Sequence, residues 1–277
     1  MIVGYHSAGL LFHDPVVAIG ELAKLGYQSV AIRPHGASLN PACPYFGQQV
    51  LRLGDAIAKA PLRCVLDLDS PFLPDPLAPR GPSLVSTDPK VAAAARDWVA
   101  TWIAVSGELG VELISFSSGS WEDSGSEADE TMLERLSAQL RELSDQATRQ
   151  GVQLALRPRA EDAIATVAQF ERLGQWLDVD ANLVLAADVG EMLAGGELPV
   201  ADRLARNLDE LACVYLCDRR AGVSGDQRIG HGDVALGRIL QSLRRQAYQG
   251  HAIVRVEGHS ELGFTPASEA IQILGGR

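Results

Sequence analysis

The 277-residue sequence lacks several features that each define a class of protein. No apolar run approaches the roughly 18 residues of a membrane-spanning helix, so we expect no membrane span. The chain has 24 Lys and Arg against 35 Asp and Glu, a formal net charge of −11. This acidic balance argues against nucleic acid, whose backbone requires a basic face. Small molecules or protein partners remain as ligands.

Cysteine is also scarce. The chain has four, and no two of them form a CxxC pair. Cys64, Cys213 and Cys217 fall within predicted strands, so we expect reduced, buried side chains in a cytoplasmic protein. The N-terminus lacks the basic segment and small-residue cleavage site of a signal peptide, which agrees with that location.

One stretch, Asn182–Glu197, suggests how the chain is organised. The apolar run from Leu183 to Ala187 ends on Asp188, and a glycine and a helical pattern follow. Such a run predicts a strand buried on both faces. In parallel α/β folds the carboxyl ends of the strands are where sites are built, so Asp188 is a candidate functional residue.

The same alternation of strand and helix repeats eight times. The predicted strands are Ile2–His6, Gln28–Arg33, Leu62–Asp69, Val111–Phe116, Val152–Arg157, Leu183–Asp188, Ala212–Asp218 and His251–Glu257. Eight such units favour a single (β/α)8 TIM barrel, one domain over residues 1–277. The alternative is an open doubly wound sheet, and the absence of a glycine-rich phosphate loop after the first strand argues against it.

Charged side chains end several of these strands. Side chains alternate across a strand, so the last residue fixes which others share its face. We therefore expect Arg157, Asp188 and Glu257 to lie together at the barrel mouth. Plausible neighbours are His6, Arg33, Asp69 and Ser117.

Other segments near the mouth leave alternatives open. On the seventh strand, either the face with Cys213, Tyr215 and Cys217 or the face with Asp218 points inward. Asp67 and Asp69 share a face, as an acid/base pair or, as we favour, as partners of the barrel arginines. The proline-rich segment Ser70–Pro89 has no period and is expected over the mouth. The acidic loop Trp121–Glu130 is interpreted as a solvated surface loop.

Beyond these patterns, the chain resembles the xylose-isomerase-like barrel superfamily of sugar phosphate isomerases/epimerases and apurinic endonucleases. The resemblance rests on LAKLGYQSVAI and then on GVQLALRPR, NLVLAADVGEMLAGGE, LACVYLCD, IGHGDV and AYQGHAIVRVE, in the family's order. It implies a divalent metal held by a Glu, an Asp, a His and a Glu on strands five to eight. A substrate-binding His often follows that Asp by three residues.

The chain departs from this implied ligand set. Asp188 and Glu257 match the Asp and the last Glu, but Arg157 replaces the first Glu, Tyr215 the His, and Glu191 the substrate His. Two carboxylates alone hold a divalent ion weakly, and Arg157 would repel it. We therefore expect a degenerate site with no metal cofactor; the alternative is a weakly bound ion at Asp188 and Glu257. The endonuclease branch is disfavoured, because it needs several zinc ions and a DNA-binding face.

The resemblance implies an isomerase or epimerase for a small polar sugar or polyol carbonyl compound, with a homo-oligomer possible. Asp188 and Glu257 are the expected catalytic carboxylates, and Glu191 is expected to face the pocket near Asp188. The expected substrate-binding residues are Arg157, Glu191, Tyr215, Asp218, His6, Arg33 and His259. For His259, as for His231, a plain loop histidine is the simpler interpretation. Two alternatives remain: a pseudoenzyme that binds a carbohydrate or protein, and a lyase or dehydratase on the same scaffold.

Overall fold

A computed structural model describes residues 1–121, 129–177 and 181–275. Eight parallel strands form a closed barrel in which each strand pairs with the next and the eighth pairs with the first. The strands are β1 Ile2–His6, β2 Ser29–Ile32, β3 Arg63–Asp67, β4 Leu113–Phe116, β5 Gln153–Leu156, β6 Leu183–Asp188, β7 Leu211–Leu216 and β8 His251–Val254. The predicted TIM barrel is confirmed.

Helices connect the strands and cover the outside of the barrel. Those of the described residues are α1 Pro15–Lys24, α2 Phe46–Lys59, α3 Pro89–Leu109, α4 Asp129–Gln150, α5 Val167–Leu173, α6 Val189–Ala194, α7 Val200–Arg206, α8 Leu236–Arg245 and α9 Thr265–Gly275. None of them is long and apolar enough to cross a membrane. The short α6 begins directly after β6 because the Asp188 carboxylate accepts the Gly190 and Glu191 N–H groups.

The barrel interior is filled mainly by small and branched apolar side chains, separate from the core between strands and helices. Its members are Ala31, Val65, Leu113, Ala155, Ala186, Cys213, Tyr215 and Ile253. This set decides the open question on β7, because Cys213 and Tyr215 face inward and Asp218 does not. A residue two positions after one of these side chains shares its face and lies nearer the mouth.

The proline-rich segment lies at the mouth end of the barrel, as predicted. Among residues 70–88 there is no helix or strand, and Pro89 begins α3. Arg80 donates to Ala160 O and Asp162 in the loop after β5, and Leu84 N–H donates to Ser118 O after β4. The segment therefore covers the loops after β4 and β5. Most of the predicted acidic loop, residues 122–128, lies outside the described residues.

The cysteine prediction is confirmed in its structural part. All four cysteines are free, and Cys64, Cys213 and Cys217 are buried. Burial raises the pKa of the Cys64 thiol to about 12, so this sulfur is a protonated packing group.

Candidate functional site

A layer of polar and charged side chains closes the barrel above its apolar interior. It consists of His6, Arg33, Asp67, Arg157, Asp188, Tyr215 and Arg255. All seven are buried. Because burying a charge without a partner costs several kcal/mol, the pairing within this layer decides what it can do.

Arg157 pairs with Asp67, the last residue of β3, and with Asp69, two residues further along the chain. Its Nη1 donates to Asp67 Oδ2 at 3.2 Å, and its Nη2 lies 2.9 Å from Asp69 Oδ2. Its Cζ also lies 4.8 Å from the centre of the Tyr215 ring. Arg157, Asp188 and Glu257 do line one cavity at the mouth, as expected, but the ion-pair partners of Arg157 are Asp67 and Asp69 rather than Asp188. A long arginine side chain reaches across the barrel, so strand neighbourhood alone does not choose its partner.

His6 completes this cluster as a neutral imidazole. Its Nδ1 accepts the Ala8 N–H at 3.0 Å, so the ring proton sits on Nε2, which lies 2.7 Å from Asp67 Oδ2. Burial lowers the pKa of His6 and outweighs the effect of Asp67. Burial also opposes ionisation of Asp67, but Arg157 and His6 hold the pKa of that carboxyl well below its usual range.

Asp188 is paired with Arg255 rather than with Arg157. Arg255 Nη1 donates to Asp188 Oδ2, and Arg255 Nε donates to Asp226 Oδ2 at 3.1 Å. The other oxygen of Asp188 accepts the Gly190 N–H at 2.9 Å. The Asp188 carboxylate is therefore fully buried with both oxygens engaged, which leaves it poorly placed to accept a proton.

Glu257 lies at the rim of the mouth, and Arg33 binds one of its carboxylate oxygens. Arg33 Nη2 donates to Glu257 Oε1 at 2.6 Å. Burial favours the neutral acid, but the neighbouring Arg33 charge and its hydrogen bond lower the pKa of Glu257 below its usual value. The carboxylate is therefore ionised at neutral pH.

Glu191 lies at the mouth near Asp188, as predicted. Its Oε2 accepts the Ala160 N–H at 2.9 Å, and its Oε1 lies 3.9 Å from Arg219 Nη2. Its backbone N–H donates to Asp188 Oδ1 at 3.2 Å, so it also lies near Asp188.

These groups surround an open cavity of about 280 Å³ at the mouth. The lining residues are Asp69, Arg157, Arg159, Asp188, Glu191, Arg219, Gly225, Asp226, Arg255, Glu257 and Gly258. This volume lies at the lower end of the range of small-molecule sites. The charged lining suits a small polar ligand with several hydrogen-bonding groups.

The chain, a closed eight-stranded barrel with a cavity at its mouth, can be compared with known proteins. The family model described as xylose isomerase-like TIM barrel matches residues 19–274. The chain belongs to this family. No curated protein matches the chain.

Solved structures of several sugar epimerases have a fold similar to that of this xylose isomerase-like barrel. D-psicose 3-epimerase from Clostridium cellulolyticum H10, with D-tagatose, is 17% identical with a TM-score of 0.77, covering 99% of this chain and 98% of that one. 3-keto-D-glucoside 4-epimerase from E. coli is 16% identical with a TM-score of 0.76, covering 100% of both chains. The IOLI protein, solved with a zinc atom, is 17% identical with a TM-score of 0.77, covering 99% and 96%. At this identity the similarity establishes the fold.

The mouth of this xylose isomerase-like barrel does not suit the divalent ion that the family resemblance implies. Arg157 and Tyr215 occupy two of the four ligand positions, and Arg255 engages the Asp188 carboxylate. In the described part of the chain, no group of three or more His, Cys, Asp or Glu side chains is arranged to hold a metal ion. A cation here would have to displace a buried guanidinium from its carboxylate.

Five of the predicted substrate-binding residues lie outside the cavity lining, and their role in binding stays a prediction. The five are His6, Arg33, Tyr215, Asp218 and His259. His6 and Tyr215 lie in the layer below, and Arg33 holds Glu257. Asp218 is buried and accepts the N–H groups of Gly230, Gly232 and Val234, so it shapes the loop after β7. His259 Nε2 lies 2.9 Å from the Asp226 carbonyl and belongs to the loop after β8.

Four charged residues of the cavity were not selected as site residues from the sequence: Arg159, Arg219, Asp226 and Arg255. Arg255 shares a face with Glu257 two positions later, so the strand period could have identified it. Asp226 and Arg219 lie in the irregular segment after β7, where no periodic pattern indicates direction. Asp67 and Asp69 do contact a barrel arginine, as favoured, and that arginine is Arg157.

Proposed function

We propose that this protein binds a small polar carbonyl compound of the sugar or polyol class in the mouth cavity. It moves a proton at the carbon next to the carbonyl, as an isomerase or epimerase does, and it works without the family's metal ion. Membership of the xylose isomerase-like family supports the chemistry, and the sugar epimerases of similar fold support the ligand class.

The proposal depends on the solvent exposure of the Glu257 carboxylate. Its side chain is 41% exposed, against 16% for Asp69, 0% for Asp188, 18% for Glu191 and 3% for Asp226, the other carboxylates of the cavity. A general base must reach the proton that it removes. Glu257 meets that requirement, whereas the buried Asp188 acts through its contact with Arg255 and positions it.

In the proposed step, the C–H bond next to the carbonyl breaks and its proton goes to the Glu257 carboxylate. The electron pair of that bond forms a carbon–carbon double bond, and the carbonyl π electrons move to the oxygen. A water molecule in the open cavity gives a proton to the other face of the same carbon, the carbonyl re-forms as the epimer, and Glu257 loses its proton to solvent. Alternatively, Glu257 returns its proton to the former carbonyl carbon while the hydroxyl proton of the first carbon moves to the enolate oxygen, which gives an isomer. Arg33 keeps Glu257 ionised before the transfer, ready to accept the proton.

Deuterium exchange tests this proposal directly. Ketohexoses, aldohexoses and inososes are incubated with the protein in D2O, and deuterium at the carbon next to the carbonyl is measured by NMR. We expect exchange with at least one compound and a loss of about 100-fold or more in Glu257→Gln, because a positioned base contributes roughly 10²–10⁴-fold. Glu261→Gln, an exposed carboxylate in the same loop, is the matched control and should leave exchange unchanged. Equal exchange rates in the two variants would contradict the role of Glu257.

The second candidate function is ligand binding without catalysis. The hydrogen bonding of the Asp188 carboxylate favours it. Both oxygens of that carboxylate are engaged, which is unusual for a catalytic group. In this case ligands would stabilise the protein against thermal unfolding, no deuterium would exchange, and Glu257→Gln would change only the affinity.

A further inference from the structure

Arg219 differs from the other arginines of the mouth cavity. Arg157, Arg159 and Arg255 each donate a hydrogen bond to a carboxylate. Arg219 has only two longer ion pairs, from Nε to Asp226 Oδ1 at 3.5 Å and from Nη2 to Glu191 Oε1 at 3.9 Å. Its Nε is buried and, in the described part of the chain, has no hydrogen-bond acceptor. The Arg219 side chain as a whole is 35% exposed, so its Nη groups, rather than the buried Nε, are the donors available to a ligand in the cavity.

Close packing fixes where these donors lie. A Cβ atom at Gly190 would come within 2.7 Å of Arg219 Nε and 3.0 Å of its Cζ. The guanidinium thus packs directly against the backbone at the start of α6, between Glu191 and Asp226. A donor group held in this way meets a ligand atom with little loss of conformational freedom.

The charge of the lining indicates what kind of ligand oxygen Arg219 donates to. Four arginines and five carboxylates line the cavity, which leaves one excess negative charge. Two of those carboxylates flank Arg219 itself. A phosphate brought to this position would be repelled by them, whereas an uncharged oxygen would not.

We infer that Arg219 binds the carbonyl oxygen of the ligand and that the cavity selects uncharged compounds over their phosphate esters. This inference rests on the proposed function for the ligand class. In the proton transfer described above, negative charge develops on that same oxygen. A fixed guanidinium stabilises such charge where it forms, so Arg219 is a further catalytic residue.

The experiment measures binding by isothermal titration and deuterium exchange as separate readouts. The ligands are a panel of ketohexoses, each with its 6-phosphate, such as D-tagatose and D-tagatose 6-phosphate; galactitol, which has no carbonyl, is a control. The variants are Arg219→Gln and Arg220→Gln. Arg220 is exposed, adjacent and outside the cavity lining, so its variant removes the same charge without touching the site.

We expect the uncharged ketohexose to bind more tightly than its phosphate. Arg219→Gln should weaken ketohexose binding about tenfold or more, since hydrogen bonds from charged groups contribute roughly 1.5–3 kcal/mol. Galactitol binding should change much less, and Arg220→Gln should behave like the unmodified protein. Tighter binding of the phosphate, or equal effects of the two variants, would overturn the inference.

The two proposals fail in different ways. Ketohexose binding that depends on Arg219 without any deuterium exchange would refute proton transfer and keep the inference on the ligand. Full exchange in Arg219→Gln would keep proton transfer and refute the role of Arg219. If no ketohexose binds at all, both proposals are wrong.

Discussion

At the residue scale, the buried guanidinium of Arg157 depends on two carboxylates, of which Asp67 has almost no access to bulk water and Asp69 is 16% exposed. Arg157 and Asp67 are each 1% exposed, so neither charge is stabilised by solvent. Removal of one partner of such a pair leaves the other as an uncompensated buried charge. Removal of one charged side chain from this layer should therefore lower the free energy of unfolding more than removal of one at the rim.

Arg157→Ala should lower the free energy of unfolding by about 3–5 kcal/mol at pH 7, because it strands the Asp67 carboxylate in the barrel. The measurement is urea unfolding followed by circular dichroism. Arg159→Ala is the control, since Arg159 is partly exposed and Asp69 keeps Arg157 as a partner. Its cost should be about 1 kcal/mol or less. Equal losses of unfolding free energy in the two variants would contradict a larger contribution of the buried Arg157 pair to stability.

The residues also show how far the sequence predicts this layer. The two-residue period of a strand predicts that Arg157, Asp188 and Arg255 all project toward the mouth, and they do. It does not predict which guanidinium meets which carboxylate. Arginine has a long side chain, and the choice between Asp67 and Asp188 depends on three-dimensional packing across the barrel.

At the element scale, the segment between β7 and α8 supplies Arg219 and Asp226 to the cavity without helix or strand structure. Its shape depends on Asp218, whose Oδ2 accepts the Gly230 and Gly232 N–H groups at 2.9 Å each. Oδ1 accepts the Val234 N–H at 3.2 Å. One buried carboxylate thus satisfies three backbone donors of the loop.

Asp218→Asn should destabilise this loop, because the amide can accept at one atom only and places an NH2 group against N–H donors. We expect faster hydrogen exchange at Gly230, Gly232 and Val234 and a loss of roughly 1–3 kcal/mol of stability. Asp233→Asn is the control, since Asp233 is exposed and accepts a single N–H, that of Ala221. Unchanged exchange at the three amides in Asp218→Asn would contradict this account of the loop.

The elements were predicted well where a period exists and poorly where one does not. All eight strands were found, because continuous apolar runs ended by polar residues are typical of buried parallel strands. The helix after β5 begins at Val167, where Thr166 forms a capping box with Gln169. The helical pattern expected directly after Asp188 is helix α6, which is only six residues long and is capped by the Asp188 side chain.

At the scale of the whole molecule, the barrel brings the ends of eight strands to one mouth and fills it with paired charges. Arginines hold Asp67, Asp188 and Glu257, which lie on three different sides of the barrel. A single divalent ion would draw carboxylates to one point. The arginines instead distribute positive charge around the mouth, and they leave Glu257 and Arg219 facing the cavity.

The central claim is that arginine side chains take the place of the metal ion in this xylose isomerase-like barrel. Metal content after loading tests it most directly. The protein is incubated with excess Mn2+, Zn2+, Mg2+ or Co2+, desalted, and measured by elemental analysis. We expect far less than one equivalent of each metal, with no change in Asp188→Asn. Near-stoichiometric metal that is lost in Asp188→Asn and Glu257→Gln would contradict the claim and restore a metal-dependent isomerase.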